Sequence, residues 1–140
     1  MEYRRYQNNI LVQMSPGEEI LEQIALIAEK ENIRFAEVTG LGSIREFSIC
    51  VYDLDNKYFY NNDYNEPMEL ISLTGTITRM DEKPYLHLHA CAGNGTGLAY
   101  GGHLKKGVIY ATGEFVIRLM EGEPTRYRYE ANGLNLLDLK

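Results

Sequence analysis

The residues best suited to chemistry in this 140-residue chain are its three histidines, His87, His89 and His103, all confined to residues 87–103. His87-Leu88-His89 lies in a stretch, Tyr85 to Ala92, that reads as a strand. Alternation there sends His87 and His89 to one face and Leu86, Leu88 and Ala90 to the other. Imidazoles at i and i+2 stand about 6–7 Å apart at their Cα atoms, so both can reach one metal ion above the sheet. His103 follows Gly101-Gly102 at the end of a segment, residues 93–102, with five glycines. That segment is expected to be a loop that folds back and delivers a third imidazole. Three histidines with an open fourth position is an arrangement that suits catalytic zinc. The alternative is three unrelated histidines, or histidines paired with carboxylates on a polar face. Cys91 continues the same-face series and is either a further ligand or a small buried residue.

Two carboxylates stand out because each interrupts an apolar strand: Glu69 in Met68-Glu69-Leu70-Ile71 and Glu114 in Gly113-Glu114-Phe115-Val116. Either could orient a metal-bound histidine or act as a general base beside a metal-bound water. The simpler reading places them on the exposed face of a half-buried strand. Gly40-Leu41-Gly42 lacks the third glycine of a dinucleotide fingerprint and no helix follows it. Residues 93–107 do not match a phosphate-binding G-x-x-x-x-G-K-[ST] loop, and no serine nucleophile elbow is present. The eleven tyrosines fit a β-rich core or an oligomer contact better than a base-stacking surface.

The elements that must position these residues are legible in outline. Residues 3–14 read as a first strand. Ser15-Pro16-Gly17-Glu18 has the pattern of a capping box with proline at the first helical position. Ile20, Leu21, Ile24, Ala25, Ile27 and Ala28 then recur at helical spacing, and Asn32 suits a left-handed cap. Strands are expected at 35–39, 44–52, 57–60, 68–79 and 85–92, with a polar loop at 61–67. Further strands follow at 108–112, 114–120 and 127–130, ahead of an apolar tail, Leu134 to Leu139. The gaps are too short for helical crossovers. The fold class is therefore α+β: a mostly antiparallel β-sheet flanked by an N-terminal amphipathic helix, in one domain spanning 1–140.

Composition sets the wider bounds. Hydrophobic residues are 44% of the chain and charged residues 24%, which excludes wholesale disorder. A chain of this size buries roughly two-thirds of its unfolded surface. No apolar run nears the ~20 residues that span a bilayer, the start lacks a secretion signal, and Cys50 and Cys91 make no disulfide framework. A cytoplasmic protein is expected. The net charge of -6 works against a phosphate backbone. It also favours neutral or cationic ligands unless a metal dominates locally.

In order along the chain, Gly40-Leu41-Gly42-Ser43, Glu69-Leu70-Ile71-Ser72-Leu73-Thr74-Gly75, His87-Leu88-His89-Ala90 and Gly101-Gly102-His103-Leu104, followed by Glu114, resemble the plant and prokaryote conserved (PPC) domain. The ordered set covers nearly the whole chain. The resemblance implies a mostly antiparallel sheet flanked by helix, and assembly as a homotrimer. His87, His89 and His103 match the family's three-histidine pattern, which implies a divalent metal, zinc in the first instance. In plants the domain follows AT-hooks in nuclear proteins, and stand-alone members are often described as DNA-binding by that kinship. This chain has no Arg-Gly-Arg hook, and Glu66-Pro67-Met68 stands where plant proteins have Gly-Arg-Phe.

Three functions follow as expectations. The first is a homotrimeric metal-binding protein, with hydrolysis or hydration of a small polar substrate chemically accessible. The second is a DNA-associated regulator using Arg4, Arg5, Lys105, Lys106, Arg126 and Arg128 as a basic surface. The third is an assembly module without a ligand.

Overall fold

Strand alternation decides which face of each element meets the core. The computed structural model describes all residues, Met1–Lys140. In chain order the elements are β1 (Glu2–Tyr6), β2 (Asn9–Met14), α1 (Ile20–Lys30), β3 (Ala36–Asp53), β4 (Tyr58–Met80), β5 (Lys83–Gly93), β6 (Ala99–Leu119), β7 (Thr125–Tyr129) and β8 (Leu134–Asp138). Ile10, Val12 and Met14 of β2, Val38 of β3, Leu73 and Ile77 of β4, Leu88 and Ala90 of β5, and Phe115 and Ile117 of β6 are buried. Helix α1 contributes its buried stripe, Ile20, Ile24, Ile27 and Ala28, to the same cluster. Each of the larger aliphatic side chains so buried stabilises the fold by about 1.5–3 kcal/mol.

The pairings form a closed circuit. β3 pairs with β4, β4 with β5, β5 with the first residues of β6, and β6 from His103 onward with β3, all antiparallel. β2 and β1 continue the sheet outward from β6. At the other end the β7–β8 ribbon joins through one parallel contact, Arg79 with Thr125. Buried Arg79 ties the end of α1 to the β4–β5 turn. Its guanidinium donates to Ile33 O at 2.9 Å, Glu82 O at 3.0 Å and Asn32 Oδ1 at 3.0 Å.

The chain is mostly β-sheet with one short helix, as expected, and several boundaries differ. The first strand is a hairpin, β1–β2, turning at Gln7, which has φ +53°. The helix begins at Ile20, not at Pro16, and Glu19 caps it by accepting from Glu22 N. Backbone pairing explains the delay: Gly17 N donates to Ile109 O and Ile109 N to Glu18 O, so residues 17–18 are held against β6. The capping box survives in part, because Ser15 N donates to the Glu18 carboxylate. The helix ends as expected, with Asn32 at φ +49°.

Residues 61–67, expected to be a polar loop, are strand: Asn61 to Asn65 pair with Cys50 to Glu46. Tyr64 anchors them, stacked between Phe47 and Tyr100 at centroid distances of 6.1 and 4.4 Å. β3 runs through Gly40-Leu41-Gly42-Ser43 with bulges instead of breaking there. At Gly40 a Cβ would stand 2.1 Å from the Phe115 ring, so the glycine serves packing. The expected strands 108–112 and 114–120 are parts of β6, and the apolar tail forms β8.

Candidate metal centre

The site begins with the inward packing of Leu88 and Ala90, 1% and 5% exposed, which turns His87 and His89 of β5 outward. Register supplies the third ring. His89 pairs with His103 across the β5–β6 ladder, while Thr76 and Thr74 of β4 flank His87 and His89 on the other side. The ring centroids are 5.2 Å apart for His87–His89, 5.4 Å for His87–His103 and 5.5 Å for His89–His103. The potential ligand nitrogens all lie within 4.8 Å of one another. Nitrogens bound to one zinc at ~2.0–2.1 Å stand about 3.3 Å apart, a gap that small side-chain rotations close.

His103 is not carried by a flexible loop. Only Asn94–Leu98 forms the β5–β6 turn, in which Asn94 Oδ1 accepts from Thr96 N and Leu98 N. Gly101 and Gly102 already lie in β6, facing Cys91 and Ala90. A Cβ at Gly102 would stand 2.9 Å from Cys50 O. These glycines let β6 fit between β5 and β3. His103 sits where the two ladders overlap, with His89 on one side and Cys50 on the other.

Burial holds the His87 imidazole below its ordinary pKa, with the charges of Arg126, His103 and His89 acting in the same direction. Burial does the same to His103, aided by His89 and Lys105. Both rings are thus kept in the neutral form that binds metal. Three imidazoles, with no carboxylate in the cluster, suit zinc and also accept cobalt or nickel.

Glu69 and Glu114 lie outside this cluster within the chain. Glu69 is exposed, paired with Ser43 and Gly93, five residues along β4 from the Thr74–His89 rung. Glu114 is exposed on β6, opposite Gln13 and Leu41, so β3 and β4 intervene between it and β5. Cys91 is partly buried and also outside the cluster, and burial pushes the Cys50 thiol pKa up.

One neighbour of the site is not evident from spacing. The β7–β8 ribbon brings Arg126 over the Tyr85 ring, with its guanidinium carbon 4.6 Å from the centroid. Arg126 Nε donates to Thr78 Oγ1 at 2.9 Å and a terminal nitrogen donates to Asn135 O at 2.9 Å. Thr78 pairs with Tyr85, one same-face step from the Thr76–His87 pair. Nothing in the sequence links residue 126 to residue 87. Of the other cations expected on a basic surface, Arg5 pairs with Glu31 and Lys106 with Glu46.

The family model of the Plants and Prokaryotes Conserved (PCC) domain matches residues 1–121. The chain belongs to this family. Among solved structures, a protein from Bacteroides thetaiotaomicron, provisionally described as DNA-binding, superposes with a TM-score of 0.95. It is 28% identical, covering 98% of this chain and 96% of that one. A metal-containing protein from Archaeoglobus fulgidus is 31% identical over 96% of this chain and 95% of its own, with a TM-score of 0.84. The PPC protein of Pyrococcus horikoshii is 27% identical over 99% and 95%, also with a TM-score of 0.84. Among curated proteins, the bifunctional protein GlmU of Synechococcus sp. (strain JA-3-3Ab) is 24% identical over 108 residues. That match takes in 76% of this chain and 16% of GlmU. The chain thus spans about a sixth of the length of that relative. No helix of the chain is long and apolar enough to cross a membrane.

Proposed function

We propose that this PCC domain binds a divalent metal ion, zinc, through His87, His89 and His103, in a homotrimer with the site at or near a subunit contact. The observation that carries the reading is the convergence of three imidazoles whose ligand atoms lie within 4.8 Å of one another. The metal content of the Archaeoglobus relative supports it. An ion held there supplies Lewis acidity for hydrolysis or hydration of a small polar molecule. Glu69 or Glu114 of a neighbouring copy would complete the site.

Support for self-assembly comes from the outer face of the sheet. Leu11, Leu41 and Val116 are 49%, 54% and 37% exposed. They line an open hollow of about 420 Å³ together with Thr39, Thr74 and Glu114. Thr74 is the rung partner of His89, so this apolar face adjoins the histidines. Leu11, Leu41 and Val116 would be covered by a contact between copies on this face.

The test is elemental analysis of protein purified without an affinity tag. About one zinc per chain is expected, lost in His89→Ala with the β-sheet spectrum unchanged because His89 is exposed. Metal-free wild-type protein that cannot be loaded overturns the reading and leaves a ligand-free assembly module. The description of the Bacteroides relative favours a second reading, a DNA-associated protein. The net charge of -6 and the ion-paired states of Arg5 and Lys106 weigh against it.

A further inference from the structure

Positive charge flanks the three histidines, and the cluster itself contains no carboxylate. Arg126 lies over Tyr85, one same-face step along β5 from His87, and Lys105 follows His103 by two residues in β6. No carboxylate belongs to the cluster, and Arg126 forms no ion pair within the chain. A divalent ion on three neutral imidazoles would add two further charges to this neighbourhood. The cluster and Arg126 supply no counter-charge of their own.

Arg126 is also built for a purpose beyond solvation. It is half-buried, its plane lies over Tyr85, and two hydrogen bonds fix its position. A guanidinium has five N–H donors, so most of the fork stays uncommitted to protein acceptors. Rigid, partly desolvated arginine of this kind suits two-point recognition of a carboxylate or phosphate. Tyr85 and His87 occupy successive same-face positions of β5, about 6–7 Å apart at Cα. A small molecule can therefore span from an ion at the histidines to Arg126. The residue comes from the β7–β8 ribbon, beyond residues 1–121 that the family model matches.

We infer that Arg126 forms an oxyanion subsite beside the three-histidine centre, so that the site takes a small molecule with one donor atom for the metal and a carboxylate or phosphate group for the guanidinium. This rests on the metal reading and deepens it. The acidic chain as a whole points to neutral or cationic ligands. The site has the opposite local sign, which selects for an anion. Metal and anion binding then reinforce each other, each raising the affinity of the other by the same factor.

The experiment uses the full chain loaded with cobalt(II), whose visible d–d spectrum reports coordination without any need for turnover. Lactate, its uncharged analogue lactamide, and inorganic phosphate are each titrated into the wild type and into Arg126→Gln and Arg126→Lys. In the wild type, one or both anions are expected to change the spectrum at lower concentration than lactamide. Arg126→Gln is expected to weaken that anion by about tenfold or more, as loss of a charge-assisted pair implies. Arg126→Lys is expected to restore part of the loss. The lactate and phosphate arms decide which oxyanion is preferred. If the wild type gives no cobalt spectrum, the metal reading fails, and this inference with it. If cobalt binds and the anions bind equally to wild type and Arg126→Gln, the inference alone fails. Sedimentation and circular dichroism accompany each titration. Changed assembly in Arg126→Gln, with unchanged anion affinity, makes Arg126 a contact between copies and also overturns the inference.

Discussion

His89 and His103 face each other directly across the β5–β6 ladder, with ring centroids 5.5 Å apart. Their approach is fixed by strand register, so the site is as rigid as the sheet beneath it. The Lewis-acid and ligand chemistry proposed above depends on that rigidity.

Acid should weaken the metal-free protein through the site. An unfolded imidazole titrates near 6.5. Burial and neighbouring charges hold His87 and His103 below that value in the folded chain. Between the two values the unfolded chain carries more protons, so stability is present above about pH 6.5 and is lost as pH falls toward and through the folded values. The urea midpoint of chelator-treated protein is expected to drop between pH 7 and pH 5. The drop should be smaller in a His87→Gln/His103→Gln double variant. Equal drops would assign the acid sensitivity to other groups.

Gly75 of β4 pairs with Leu88, between the two histidines of β5. A Cβ there would stand 2.0 Å from His87 O and 2.8 Å from Leu88 Cα, both backbone atoms that cannot give way cheaply. Gly75→Ala is expected to cost about 1–3 kcal/mol by overpacking and to reduce metal content by displacing His87. Gly95→Ala, with nothing within 4 Å of the added carbon, is the neutral control. Thermal melting of the three proteins checks both outcomes, and an unaltered Gly75→Ala melt would refute the packing argument.

Leu41 is 54% exposed on the outer face, so charge there should not unfold the chain. Leu41→Asp is expected to keep its circular dichroism spectrum and to sediment as a smaller species than the wild type. An unchanged sedimentation coefficient places the contact between copies elsewhere.

DNA affinity is expected to be undetectable near physiological salt, given the net charge of -6 and the paired states of Arg5 and Lys106. Sequence-preferring binding that falls steeply with added salt would support the DNA-associated reading instead.

Local pattern and long-range register were not equally legible in the sequence. His87-Leu88-His89 declares its own geometry, because alternation within one strand is a two-residue property. The end of α1 at Asn32, where φ is +49°, is equally local. The placement of His103 depends instead on which strands β6 meets. Glycines that look like a hinge turn out to be the small residues needed to fit one strand between two. Residues 61–67 mislead for the same reason: their polar side chains suggest a loop, while Tyr64 stacking and β3 pairing make them strand. Arg126 reaches His87 through the fold of a terminal ribbon, a relation with no local signature.

Because β3, β4, β5 and β6 close on one another, the backbone amides around His89 and His103 have no fraying edge through which to open. Deuterium should enter them only when the whole molecule comes apart, long after the β7–β8 ribbon has exchanged. His89 and His103 therefore stand on a part of the chain that yields late, whereas His87, paired with β4 alone, lies on the open edge of β5.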